Sequence, residues 1–212
     1  MNKIVLVLCI MLLMTSAACT AQTPKTQPQT QFESPEPTTL PTTNPTLPLT
    51  TLQIAEFIIQ AIDAKDLARI ADFVHPEMGV RFSPYATIRQ DHLVFSADDL
   101  PGLFSSNRVY RWGYYDGSGE AIELTFVEYY NEFIYTAKFA NSEEVALNMR
   151  IGQGNTLNNI QDFYPESDFV EYHFTGFEAQ FAGMDWQSLR LVFIEEGGVH
   201  YLVAIVHDQW TI

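Results

Sequence analysis

Between Thr20 and Thr50 the chain reads TAQTPKTQPQTQFESPEPTTLPTTNPTLPLT, and nothing apolar in it recurs at a helical or strand period. Such a segment has no face to bury and cannot offset the entropy of ordering itself. It predicts an unstructured spacer, biased by its prolines toward extended polyproline II. About thirty residues of this kind reach roughly 30 Å as a coil and roughly 90 Å fully extended. Ordered structure is therefore expected only beyond Thr50. About 160 residues remain from Thr51 onward, enough for one domain with a sizeable core. They include no cysteine, so that core must hold without a disulfide. Neither an internal repeat nor a second linker divides them.

The segment before the spacer reads as an address. Lys3 supplies positive charge, Ile4 to Met14 is an almost unbroken apolar run, and Ser16, Ala17 and Ala18 are small. That order is the order of a secretory signal, and the run is shorter than the roughly 20 apolar residues that span a bilayer. The two cysteines of the chain are Cys9, inside the run, and Cys19, directly after it. SAAC, ending at Cys19, resembles the lipobox of bacterial lipoproteins, with Ser16 where that motif usually has leucine. The resemblance implies cleavage before Cys19 and a thioether-linked diacylglycerol on its sulfur; the alternative is an ordinary signal cut near Ala18 or Ala21. One acyl chain holds a protein to a bilayer only marginally, whereas two or more hold it firmly. The expected organisation is a signal peptide at 1–18, a lipidated cysteine with its spacer at 19–50, and a globular domain at 51–212. Such a protein is extracytoplasmic and lipid-anchored to the cell membrane or the outer membrane.

The chain carries 26 acidic against 11 basic residues, a formal net charge of −15. Only Lys3, Lys25, Glu33 and Glu36 precede residue 51, so the whole excess belongs to the domain. An acidic surface without a basic run repels phosphate backbones and anionic headgroups, which sets nucleic acid aside as a partner.

Within the domain, Ile54, Phe57, Ile58 and Ala61 recur at helical spacing and predict a helix over Leu52–Ala64. A second helix comes next, capped by Asp66, striped by Leu67, Ile70, Ala71 and Val74, and ended before Pro76. Short strands are expected at Gly79–Phe82, His92–Phe95 and Arg108–Tyr115, with a turn at Asp116–Gly119. The spacing of Phe126, Val127, Tyr130, Phe133 and Ile134 predicts a long helix over Glu120–Tyr135. Ala140–Pro165 reads as a loop with one helical turn near Glu143–Asn148. Three strands close the chain: Phe169–Phe177, Ser188–Glu195 and Val199–Ile212, the last two joined by the tight EEGG connection.

Helices segregated from a run of strands make an α+β domain, with the sheet expected to be antiparallel. The element order, the opening helix pair and the stretch FVHPEMGVRFSPY (Phe73 to Tyr85) resemble the NTF2-like superfamily. The closing DWQSLRLVF and YLVAIVHDQWTI look like uncharacterised bacterial lipoproteins with that kind of domain. The resemblance implies a cone, a curved sheet wrapped on a long helix, often with a pocket at its open end and a homodimer formed through the sheet. It carries no activity with it.

Function has to be argued from a site, and polar residues inside apolar strands mark the candidates. Glu171 and His173 share one strand face, and Arg190 stands mid-strand where it can meet Glu171 in a cross-strand ion pair. His207 shares a face with Tyr201, Val203 and Ile205; it adjoins Asp208, which points the other way. A cluster of His207 with His173 or Glu171 would offer acid–base or metal chemistry. With Trp112 and Tyr130 from the aromatic-rich middle of the chain, Glu171, His173, Arg190 and His207 form the candidate pocket. No sequence signature of a metal site, phosphate loop or serine nucleophile is present, so no cofactor, metal or catalytic residue is assigned. Three readings stay open: a tethered domain binding a small ligand, envelope glycan or protein partner; an isomerase, cyclase or dehydratase using the candidate pocket; and a scaffold or assembly lipoprotein.

Overall fold

The computed structural model describes residues 49–211; the expected signal, Cys19 and most of the spacer lie outside the described residues. Helix α1 runs over Thr51–Asp63. Its start is a capping box: the Thr50 hydroxyl accepts from the Gln53 amide at 3.3 Å, and Gln53 Oε1 accepts from the Thr50 amide at 2.9 Å. Ile54, Ala55, Ile58, Ile59 and Ile62 form its buried face. A left-handed residue, Lys65, turns the chain, and Asp66 caps α2 (Leu67–Ala71) through the Arg69 amide at 3.0 Å. Helix α1 matches the sequence periodicity; α2 starts where expected but ends at Ala71, short of Val74, which instead bridges to Leu202 beside the sheet.

Eight strands succeed them: β1 (Val80–Ser83), β2 (Val94–Phe95), β3 (Val109–Tyr114), β4 (Ala121–Thr125), β5 (Glu144–Leu147), β6 (Asp168–Phe174), β7 (Gln187–Glu196) and β8 (Val199–Gln209). Six of them make one sheet in the order β2-β1-β8-β7-β6-β5, while β3 and β4 form a separate hairpin. The domain is α+β, as expected. The sheet is mixed where an antiparallel one was expected: β1 runs parallel to β8, with Phe82 opposite Ile205. It is also not strongly curled, and the long helix expected over Glu120–Tyr135 is replaced by a strand and a short helix.

The missing helix has a local cause. Ala121–Thr125 alternates and pairs with β3, placing Ile122 opposite Gly113. The helix begins only at Phe126, because Thr125 is its cap: Glu128 Oε2 accepts from the Thr125 amide and hydroxyl, each at 2.7 Å. This short helix, α3 (Phe126–Tyr129), passes into a π-helical turn at Tyr130–Ile134. The second correction is β5: Glu144–Leu147 pairs antiparallel with β6 where a helical turn was expected. Ala and Glu are poor strand formers, and a free sheet edge overrides that weak preference. A single-turn helix, α4 (Ile160–Phe163), completes the elements.

The sheet is buried on both faces. Against one face pack α1, α2, α3 and the β3–β4 hairpin, around Phe82, Trp112, Phe126, Tyr129, Leu189, Leu191 and Phe193. The other face, bearing Phe169, Val192, Ala204 and Val206, is covered by Ile88, Ile160 and Tyr164. Each fully buried side chain of this size contributes about 1.5–3 kcal/mol relative to exposure. Among the described residues no helix is long and apolar enough to cross a membrane.

Candidate functional site

The six candidate pocket residues are all buried, none more than 5 % exposed. They fall into two groups on opposite faces of the sheet. Trp112, Tyr130 and His207 belong to the α1 side. Trp112 stacks on Tyr129 with ring centroids 3.8 Å apart and donates its indole N–H to the Leu124 carbonyl at 3.0 Å. The Tyr130 hydroxyl donates to the Ile62 carbonyl, satisfying an otherwise open end of α1. His207 Nδ1 donates to the Pro84 carbonyl at 3.1 Å, and its Nε2 faces the Thr136 hydroxyl at 3.5 Å. Burial holds this imidazole neutral, its pKa lowered to about 4.

Glu171, His173 and Arg190 lie on the second face, and there the expected cross-strand pair forms. Glu171 stands opposite Arg190 in the β6–β7 register. Arg190 grips it in a fork, Nε to Oε2 at 2.8 Å and Nη2 to Oε1 at 3.1 Å. Glu171 accepts three more bonds: from the Ile151 amide at 3.1 Å, the Gly152 amide at 2.9 Å and the Ser188 hydroxyl at 2.6 Å. Since Ser188 spends its proton on Glu171, its oxygen accepts from His173 Nδ1 at 2.8 Å. Burial works to raise the Glu171 pKa, but the Arg190 charge and these donors outweigh it and hold the carboxyl below its ordinary value.

Asp208 is the member that sequence reasoning passed over. It shares this face through its pairing with Ser188, and its Oδ2 lies 2.9 Å from Arg190 Nη1 and 3.5 Å from Arg150 Nη2. The Arg190 contact is an ion pair without hydrogen-bond alignment, and Oδ1 finds no donor among the described residues. Burial accordingly raises the Asp208 pKa, only partly opposed by Arg190 and Arg150. His207 is on the opposite face from this group, so the alternative of a cluster with His173 or Glu171 does not form, and His207 stands as a hydrogen-bonded core residue.

The segment from Arg150 to Thr156 lies over this network as a strap. Arg150 donates to the Gly152 carbonyl at 2.8 Å and the Thr156 carbonyl at 3.3 Å, and Arg190 Nη2 donates to the same Gly152 carbonyl at 3.1 Å. Gly152 permits the close approach: a Cβ there would stand 2.5 Å from both the Ser188 hydroxyl and the Trp186 ring. Gly152→Ala is expected to cost about 1–3 kcal/mol, the usual range for overpacking, read as a lowered urea midpoint with unchanged secondary structure by circular dichroism.

Beyond the strap the surface opens into a cleft of about 280 Å³. Its walls are Tyr85 and Arg89 from the loop after β1, Tyr114, Tyr115 and Asp116 at the end of β3, and Thr156 from the strap. Each wall is held by bonds of its own. Arg81 clamps the loop, donating to the carbonyls of His92 at 2.7 Å and of Arg89 and Gln90 at 3.2 Å. The Asn159 side chain bonds both the amide and the carbonyl of Ile88. Asp116 Oδ2 accepts from Thr211 at 2.6 Å and from Thr156 at 3.3 Å. Buried His92 takes the Arg89 amide on Nδ1 at 3.3 Å, which leaves its proton on Nε2, and burial lowers its pKa to about 4. Phe133 packs under both Tyr85 and Tyr115. No protein-family model, curated protein or solved structure matches the chain. The site therefore rests on its own geometry.

None of the six candidate residues lines this cleft or the other clefts described on the surface. An apolar one of about 230 Å³, lined by Ile54, Phe73, Val199 and Tyr201, begins at Leu49, and nothing among the described residues shows what covers it. The aromatic-rich middle of the chain pointed to a cleft among rings that include Tyr114 and Tyr115, but these two stayed outside the candidate pocket because the walls come from three segments well separated in sequence. The available signal was the doublet Tyr114–Tyr115 running straight into the turn at Asp116, where a strand ends and large rings are left at an edge.

Proposed function

We propose that this chain is a membrane-tethered, non-enzymatic binding protein, anchored through lipid on Cys19 and extracytoplasmic, whose domain takes a small polar ligand in the tyrosine cleft. The observation that carries the reading is a contrast between two polar sites. In the Glu171–Arg190–Asp208 network the side chains are fully buried and bonded mainly to one another and to the strap. The cleft, in contrast, is open, aromatic-walled and held in shape by bonds that leave the Tyr114 ring exposed. Preformed concave sites with a few placed polar groups are the usual form of a small-molecule site. The enzyme alternative asks an acid and a base to converge with room for substrate; here His207 and the Glu171–His173 group are separated by the sheet. Membership of the NTF2-like superfamily belongs to the same proposal, supported by the α1–α2 pair leading through Phe73–Tyr85 into β1.

Two substitutions test the two halves of the reading. Cys19→Ser is expected to move the full chain from the membrane fraction to the soluble fraction and abolish palmitate labelling; retention at the membrane would refute the tether. Mass spectrometry of solvent extracts from the purified full chain is expected to find a small molecule at near-stoichiometric amount in wild type. Tyr114→Ala is expected to reduce it at least tenfold, and equal recovery from both would refute the cleft as its site.

A further inference from the structure

The polar groups that the cleft leaves unused have mixed signs, and this narrows the ligand class; the step rests on the binding reading above. The Tyr115 phenol faces Glu132, Thr87 donates to the Leu157 carbonyl at 2.6 Å, and Thr156 donates to Asp116. The two threonine hydroxyls are engaged. Polar atoms of the cleft without a hydrogen-bond partner among the described residues include Arg89 Nη1 and Nη2, His92 Nε2, Asp116 Oδ1 and the Tyr114 hydroxyl. The Arg89 fork is oriented because its Nε is committed to Asp91 at 3.0 Å. An anion entering here meets Asp116; a cation meets Arg89. Asp91 already offsets Arg89, and Asp116 and Glu132 stand beside the tyrosines, so the cleft repels anions, while the Arg89 fork in its wall opposes a bound cation.

We infer that the cleft binds a neutral polyhydroxylated ring, a monosaccharide or the terminal sugar of a glycan. Vicinal hydroxyls both donate and accept, so one ring can take bonds from the Arg89 fork and give one to Asp116 Oδ1. The apolar face of such a ring needs a flat partner, and Tyr85, Tyr114 and Tyr115 supply rings with apolar bodies and polar tips. Tyr114 is 41 % exposed and is the ring most available for stacking. A volume of about 280 Å³ is at the small end of ligand cavities, which run from roughly 300 to 1,000 Å³, and suits one ring rather than an extended chain. The walls are already tied in place, so little ordering cost is added on binding.

Saturation-transfer NMR on the detergent-solubilised full chain tests this directly. The probes are a panel of neutral hexoses, pentoses and N-acetylhexosamines with their disaccharides, and two charged controls, choline and inorganic phosphate. At least one saccharide is expected to bind, with Kd raised tenfold or more by Tyr114→Ala and by Arg89→Ala; both positions are exposed, so neither change threatens the fold. Choline or phosphate binding in the absence of any saccharide would overturn the ligand class while leaving the cleft as a binding site. Saccharide binding indifferent to both substitutions would overturn its placement. No saccharide binding at all would overturn the inference, whereas the binding reading itself is judged separately by the extracted small molecule.

Discussion

Replacing Arg190 with Met is expected to lower the unfolding free energy of the domain by about 3–5 kcal/mol, the cost of removing one partner from a buried ion pair. Arg190 is fully buried and stands between two carboxylates that are also fully buried, Glu171 and Asp208. Met keeps much of the volume and none of the charge. Glu171 would retain the Ile151 and Gly152 amides and Ser188. Asp208 would keep only the Arg150 contact at 3.5 Å. Against a typical total of about 5–15 kcal/mol this is a large fraction, and at this size it lowers Tm by roughly 10 °C or more. Urea denaturation of the full chain reads it. A loss under about 1 kcal/mol, the range of exposed ion pairs, would mean the network is hydrated and not part of the core. Replacing Arg190, Glu171 and Asp208 together by apolar residues of similar volume is expected to recover only part of the loss: no buried charge is then left alone, but the Gly152 amide and Ser188 lose their partner.

The second large effect is acid destabilisation by two buried histidines. His207 and His92 have folded pKa values of about 4 against 6.5 for an unperturbed ring, each lowered chiefly by burial. The folded state therefore refuses a proton that the unfolded chain accepts. The stability each contributes is complete above pH 6.5 and is lost as pH falls from 6.5 toward 4, about 3 kcal/mol per ring at the lower end. Glu171, with its lowered pKa, adds a loss at still lower pH. Asp208 acts in the opposite sense: its raised pKa gives stability below the unfolded value that is lost as pH rises through the folded one. The expected net result is a urea midpoint that falls steadily between pH 6.5 and 4. His173, its pKa also lowered by burial, adds in the same sense, so His207→Asn, which keeps a donor toward the Pro84 carbonyl, is expected to reduce that slope without abolishing it. A slope unchanged by the substitution would place the titration elsewhere.

Much of the frame was legible in the residues. Apolar spacing located α1 and α2, EEGG located the β7–β8 turn, and a charged residue in each of two apolar strands anticipated the Glu171–Arg190 pair. The boundary at Thr125 was legible too, in the Thr125–Glu128 capping box, but a helical stripe downstream of it drew the helix back over what is β4. Strand β5 was not legible, because its four residues become a strand only by pairing with β6. Face assignment was the deeper difficulty. Parity within β8 separates His207 from Asp208, yet only the register with β7 shows that Asp208 is the one that meets Arg190. The strap and the cleft depend on contacts between distant segments, such as Asn159 with Ile88 and Asp116 with Thr211, which no local pattern encodes.

In the proposed reading, ligand recognition belongs to the tyrosine cleft and the buried charge network is structural. Hydrogen-exchange mass spectrometry of the full chain, with and without a polar extract of the cells that make it, separates the two sites. Added protection is expected in peptides covering Tyr85–His92 and Gly113–Asp116, with β6 and β7 unchanged. Protection that falls on Phe169–Phe174 and Ser188–Val192 and spares the cleft would overturn that division, and would make Glu171, His173 and Arg190 the ligand site.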